Sequence, residues 1–171
     1  FQLENTSTAI ATLRALKDLN IQDQHIIKGV KKAHNTARLE EIKKGKLKDL
    51  VKNNMLICDG SHNPGGAKVL NNYLNSLNCD VHCIVGMLIN KNHEEYISYF
   101  KNIKSITTID IPNNPPGAID GKKLKEKFNA IPNVQYKESI EEAIKSISLN
   151  KNDVVIITGS LYLASKVLKI N

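Results

Sequence analysis

Asp59, Ser61, His62 and Asn63 stand within five residues of one another, directly after the apolar run Met55-Leu56-Ile57-Cys58 and directly before Pro64. An acid, a hydroxyl, an imidazole and an amide in one short stretch can accept, donate and relay hydrogen bonds. The apolar run has the length of a buried strand, and proline suits the first position of a helix, where its missing N–H has no partner to lose. A carboxylate delivered by the end of a strand is held still, so it can make directed, charge-assisted contacts to a ligand. Arg38 is one of two arginines in a chain otherwise supplied with lysine. Its planar, permanent charge suits an anion.

Residues in such roles need a scaffold, and periodicity describes one. Met55 to Cys58, Val81 to Met87, Ser105 to Ile109 and Asp153 to Thr158 read as buried strands, with one more expected at Val134 to Tyr136. Helices are signalled between them by Ala67, Leu70, Leu74 and Leu77, by Tyr96, Ile97 and Phe100, by Leu124 and Phe128, and by Ile140, Ala143, Ile144 and Ile147. Ser139-x-x-Glu142 opens the last of these as a capping box. A final helix runs from Leu161 to Leu168. Strands alternating with helices imply an α/β fold, a Rossmann-like and mainly parallel sheet with helices on both faces. Ligands in such sheets sit beyond the carboxyl ends of the strands, where helix N-termini present free amides. Asp59 to Asn63, Gly86, the Asn90-Lys91-Asn92 loop, Asp110 to Gly117 and Gly159-Ser160 therefore belong to one rim.

Upstream, Ala9, Ile10, Leu13 and Leu16 form an apolar stripe on a helix near Asn5 to Leu19. A second helix over Asp23 to Lys32 turns Ile26, Ile27 and Val30 inward. Between about Arg38 and Asn54 the pattern fades into a Lys-rich, Gly45-containing connection, which places a domain boundary there.

The 171 residues, 41% hydrophobic and 24% charged, suit a soluble globular chain with a full core. No apolar run approaches the roughly 18 residues of a membrane span, so a cytoplasmic protein without membrane contact is expected. The net charge of +7 raises nucleic acid as a partner, but scattered lysines and only 5% aromatic residues favour a solvated surface. Cys58, Cys79 and Cys83 are too few for a disulfide framework. Cys79-x-x-x-Cys83 around His82 lacks a second ligand pair, so buried small side chains are expected and no metal site.

Four separated stretches carry a resemblance: Gln2-Leu3-Glu4-Asn5, Ala37-Arg38-Leu39-Glu40, Asp59-Gly60-Ser61-His62-Asn63-Pro64 and Thr158-Gly159-Ser160-Leu161-Tyr162-Leu163. In order and approximate spacing they resemble the folylpolyglutamate synthase and dihydrofolate synthase family of the Mur ligase superfamily. The resemblance implies an ATP-dependent ligase that phosphorylates a carboxylate of dihydropteroate or folate and joins L-glutamate to it. It implies ATP contacts at Asn5 (adenine), Asp59 (ribose) and Arg38 (phosphates), a catalytic part for Arg38 and His62, and glutamate contacts at His62 and Ser160. Residues 1–40 would end the central ATPase domain, and 41–171 would form the C-terminal domain. Magnesium ligands and the folate pocket are expected in a preceding portion, and the intact protein is expected to be a monomer.

Some positions depart from the pattern. Phe1 stands where the family commonly has histidine, Asn35-Thr36 where it has Trp-Pro, and Asn90 and Asn92 where acids flank the lysine. The phosphate loop G-x-x-x-x-G-K-[ST] is missing, and Gly117 to Lys123 offers only a turn and a helix start. The chain alone is therefore expected not to ligate glutamate. Two other readings stay open: a peptidoglycan-precursor ligase of the same superfamily, and a non-catalytic nucleotide- or partner-binding module.

Overall fold

Val81–Val85 and Val154–Thr158 are shielded along their whole length, as apolar strands covered on both faces must be. They are β3 and β6, the middle of a six-stranded sheet in a computed structural model that describes residues 2–33, 35–100, 102–128 and 131–171. Phe1 and the departure noted there lie outside the described residues. The other strands are β1 (Glu40–Glu41), β2 (Met55–Cys58), β4 (Ser105–Ile109) and β5 (Val134–Lys137), in the order β1-β2-β6-β3-β4-β5. All neighbours are parallel except β1, which pairs antiparallel with β2 through Glu40 opposite Cys58 and Glu41 opposite Ile57.

The chain divides into two compact units, one up to Thr36 and one from Ala37 to Asn171. The first holds α1 (Gln2–Ala15) and α2 (Asp23–Lys32). Of the residues expected to face inward on α2, Ile26 is buried, but Ile27 and Val30 are 54% and 44% exposed. Leu16 at the end of the α1 stripe is exposed as well. Two helices can bury only the stripe they share.

The second unit adds α3 (Lys46–Val51), α4 (Pro64–Asn75), α5 (His93–Ser98), α6 (Gly121–Lys127), α7 (Ile140–Lys145) and α8 (Leu161–Ile170). Alternate strand residues feed two cores. Ile57, Cys83, Val85, Ile106 and Ile156 pack with Leu70 of α4, Tyr96 of α5 and Leu124 of α6. Leu56, Cys58, Ile84, Val155 and Ile157 pack with Leu47 of α3, Ile144 of α7 and Leu163 of α8. The sheet thus carries three helices on each face, and every helix that follows a parallel strand begins at the carboxyl end of the sheet.

The connection after Arg38 is more ordered than its composition suggests. It contains β1 and α3, and Ala37 to Glu40, expected at the end of the first domain, are hydrogen-bonded into the second unit. Ser139 caps α7 by accepting from the Glu142 amide at 3.1 Å, but the reciprocal half of the capping box is not made. None of the described helices is long and apolar enough to cross a membrane.

Candidate functional site at the carboxyl rim

Where β2 ends, Asp59 donates its amide to the Ile157 carbonyl of β6 at 3.0 Å, so the chain leaves the strand still anchored to the sheet. Its side chain is buried, with the residue 5% exposed. Oδ1 accepts the Ser61 amide and Oδ2 the Leu39 amide, each at 2.8 Å. The acid therefore ties two backbone segments together: the turn that follows it and the turn that carries Arg38.

Arg38 sits between Ala37 and Leu39, both left-handed, with φ of 57° and 52°. The turn is closed by Ala37 N–H to Glu40 Oε2 at 2.7 Å and by Gly60 N–H to the Ala37 carbonyl at 2.8 Å. Ala37 is buried and Arg38 half-buried. No ion pair or hydrogen bond holds the guanidinium among the described residues, so its charge is available to an anion.

His62 is half-buried, and its Nδ1 lies 2.9 Å from the Gly60 carbonyl. A carbonyl can only accept, so Nδ1 carries the proton and donates. Nε2 of the neutral ring is then an acceptor, and it becomes a donor only when the ring is protonated. Asn63 follows as the N-cap of α4, accepting from Gly66 N at 2.8 Å. With Pro64 next and no acid in the first turn, the positive end of α4 opens at this rim without an internal counter-charge.

Beneath the turn lies a cluster that sequence reasoning missed. The Ser61, Thr158 and Tyr96 hydroxyls are all buried, and Tyr96 Oη lies 3.1 Å from Thr158 Oγ1 and 3.3 Å from the Ser61 carbonyl. Burial pushes the Tyr96 hydroxyl well above its usual pKa, keeping it a neutral donor. A tyrosine on the buried side of a short helix, with a threonine at a strand end, was the available signal.

Gly159 closes the rim beside β3. Its φ is +105°, and a Cβ there would come within 2.8 Å of the Gly86 carbonyl oxygen, so two strand exits approach at their backbones. Ser160 is 2% exposed and is the N-cap of α8, accepting from Tyr162 N at 3.0 Å. Its hydroxyl proton remains available, but its oxygen is engaged by the helix. Lys91 is half-buried in the loop before α5. Asn5 lies exposed on α1 in the first unit.

Farther along the rim, Asp110 Oδ1 accepts from Gly121 N at 2.7 Å and Oδ2 from the Tyr136 hydroxyl at 2.5 Å. Gly117 to Lys123 forms the capped start of α6, with Asp120 accepting from the Lys122 and Lys123 amides. No group of His, Cys, Asp and Glu fit to hold a metal ion occurs among the described residues. His82 and Cys83 are both buried in β3, on opposite faces of the sheet, with Nδ1 of His82 at 2.7 Å from Ser105 Oγ and Nε2 at 3.3 Å from Asp153 Oδ2.

The arrangement near Asp59 offers an anion an arginine side chain on an ordered turn and a helix N-terminus, with an imidazole alongside. Comparison with known proteins identifies the family of the domain. Residues 38–161 match the Mur ligase, glutamate ligase domain family. The chain is 29% identical to folylpolyglutamate synthase of Lacticaseibacillus casei, over 98% of this chain and 37% of the relative. It is similar to the folylpolyglutamate synthase structure of Thermotoga maritima, with a TM-score of 0.68 and 29% identity over 98% of this chain and 38% of the other. A bifunctional folylpolyglutamate synthase/dihydrofolate synthase solved with Mn, AMPPNP and L-glutamate bound shares the fold, with a TM-score of 0.77 and 24% identity over 98% of this chain and 39% of that one. The chain thus spans well under half the length of these relatives.

Proposed function

The chain belongs to the Mur ligase family through its glutamate ligase domain, and from that premise we propose that it supplies the phosphate- and glutamate-facing rim of a cytoplasmic ATP-dependent ligase. The reaction joins L-glutamate to dihydropteroate or folate. A substrate carboxylate attacks the γ-phosphorus of ATP, the bond to the bridging oxygen breaks, and ADP leaves. The glutamate amine then attacks the acyl carbon, expels phosphate and loses its proton, leaving an amide.

The observation that carries this reading is the meeting, at one end of one sheet, of the Arg38 turn, the Nε2 face of His62 and the N-terminus of α4. Arg38 would offset charge on the phosphoryl group as it moves. The neutral His62 ring, with Nδ1–H given to Gly60, offers Nε2 to the glutamate amine, whereas the protonated ring would hold a carboxylate. Ser160 would contribute only its hydroxyl proton, since its oxygen caps α8. Asn5 is proposed for adenine by resemblance alone. For Asp59 the resemblance implies a ribose contact, and each of its oxygens, already accepting one backbone amide, keeps a lone pair for a hydroxyl.

The described residues offer no ligand cluster for the magnesium or manganese that accompanies nucleotide in such ligases, nor does the sequence hold a phosphate loop. We therefore propose that the residues up to Thr36 end an ATPase domain, that Ala37 to Asn171 form the C-terminal domain, and that the chain alone does not ligate glutamate. The test is glutamate incorporation by the full-length protein with ATP and either dihydropteroate, a folate or a muramyl-nucleotide precursor. Amide formation with the pteridine substrates, matched by ADP and phosphate, is expected. Transfer to the muramyl precursor alone, or no transfer at all, would end the proposal.

A further inference from the structure

We infer that Thr158 is a positioning residue that, together with the Tyr96 hydroxyl, sets the spacing between His62 and Ser160, an inference that rests on the glutamate-facing reading of those two residues given above. Each of them directly follows a residue whose backbone is joined to the other's: the Gly159 amide donates to the Ser61 carbonyl at 3.0 Å. The ladder between β2 and β6 has ended by then, with Cys58 opposite Ile157 and the Asp59 amide on the Ile157 carbonyl as its last rung. Past that rung the two strand exits are joined by this one backbone bond and by side chains.

Alternation along β6 puts Thr158 on the face of Ile156, where Tyr96 of α5 is packed. Thr158 Oγ1 lies 3.1 Å from Ser61 Oγ and 3.1 Å from Tyr96 Oη, so it bonds both of the other hydroxyls. Tyr96 Oη also lies 3.3 Å from the Ser61 carbonyl, the acceptor of the Gly159 amide. Ser61, Thr158 and Tyr96 are all buried. A buried hydroxyl deprived of its partner is costly, so the three hold one mutual arrangement.

The two dependent side chains are tied to their own backbones. His62 gives Nδ1–H to the Gly60 carbonyl, and Ser160 Oγ accepts the Tyr162 amide, so ring and hydroxyl move with the segments that carry them. A change in the Ser61–Thr158 join therefore alters the distance between them. Asp59 shares the Ser61 amide with this turn, but its own amide on β6 and the Leu39 amide hold it independently. The nucleotide side thus keeps its frame when the cluster is disturbed.

In the full-length protein, Thr158→Val keeps the branched shape in β6 and removes the hydroxyl. It should raise KM for glutamate about tenfold, the equivalent of one buried hydrogen bond, and leave KM for ATP unchanged. Thr158→Ser returns the hydroxyl and should return KM. Tyr96→Phe leaves Thr158 and Ser61 bonded and should raise KM for glutamate about threefold. In the ligand-free protein, Thr158→Val and Tyr96→Phe should both speed hydrogen exchange at the Gly159 amide, a readout independent of ligation. A merely structural role would lower the active fraction and leave both KM values alone. With His62→Ala raising KM for glutamate, an unchanged KM in Thr158→Val, an equal rise in KM for ATP, no recovery in Thr158→Ser, or unchanged exchange at Gly159 would each overturn the inference. If exchange changed as described but neither His62→Ala nor Ser160→Ala moved KM for glutamate, the glutamate reading of the rim would fall instead.

Discussion

The hydroxyls of Ser61 and Thr158 lie 3.1 Å apart and join the exit of β2 to the exit of β6. Tyr96 reaches them from α5, so three hydroxyls from three elements close the floor of the rim. Tyr96→Phe keeps the ring in its core position against Phe100, at a centroid distance of 5.1 Å, and removes only the hydroxyl. Ser61 and Thr158 retain each other, and the variant should be destabilised by about 1 kcal/mol, the usual net value of a buried hydrogen bond. Denaturant unfolding of wild type and variant measures this, and equal midpoints would show that the tyrosine hydroxyl contributes nothing.

Arg38 tests the phosphate end of the site. Arg38→Ala in the full-length protein should lower kcat for glutamate ligation by about 100- to 1,000-fold, the range for loss of one charge-stabilising group. Arg38→Lys should recover little, since a compact ammonium cannot reproduce a planar fork set by a rigid turn. Steady-state kinetics with varied ATP would show the loss in kcat; a change confined to KM for ATP would mean that Arg38 binds nucleotide without acting in the transfer.

Much of this was legible in the sequence, and what was not has a physical cause. Met55 to Cys58 reads as a strand because an unbroken apolar run has nowhere to go but a covered sheet, and Ser105 to Ile109 because its isoleucines and threonines are β-branched. Glu40–Glu41 did not, since two charged residues carry no periodicity, and β1 exists through its pairing with β2. The short α3 was hidden for a similar reason: its first amides, Leu47 and Lys48, are accepted by the Asn171 side chain from the far end of the chain. Asp59 was visible as an acid at a strand end. Its bond to Leu39, twenty residues away, was not, because nothing in the spacing brings the two segments together.

Alkaline pH should weaken the fold through Cys58. The thiol is fully buried at the end of β2, and burial, reinforced by the negative charges of Asp59 and Glu40, pushes its pKa from 9.0 up to about 12. The folded state therefore disfavours the thiolate. An unfolded thiol ionises near 9.0, so this contribution to stability is complete below pH 9 and is lost as the pH rises toward 12. Urea midpoints should fall over that window, and the fall should be shallower in Cys58→Ala. An identical slope in the variant would assign the alkaline loss to other groups, such as Cys83, whose pKa burial also raises.

His82 gives the last test, at the opposite end of the sheet from Asp59. It sits near the start of β3, beside the first residue of β4 and the entry to β6. Ser105 Oγ meets Nδ1 and Asp153 Oδ2 meets Nε2, and both His82 and Asp153 are 4% exposed. Asp153 Oδ2 also accepts the Asn150 amide at 2.7 Å, which fixes the turn before β6. A carboxylate facing an imidazole nitrogen requires a proton on that nitrogen, so Nε2–H donates to Asp153. Removing the ring in His82→Ala leaves the buried carboxylate with one backbone donor and opens a cavity between three strands. The expected loss is about 2 to 3 kcal/mol, the range for leaving a buried carboxylate short of a hydrogen-bond donor. Asp153→Asn should cost less, because its amide oxygen can still accept from Asn150 or from the imidazole. Neither should alter KM for ATP in the full-length protein, because no part of the Arg38 turn touches this cluster. Thermal or urea unfolding of both variants, read beside nucleotide kinetics, decides the matter: a variant as stable as wild type but deficient in ATP use would place His82 in the chemistry rather than in the sheet.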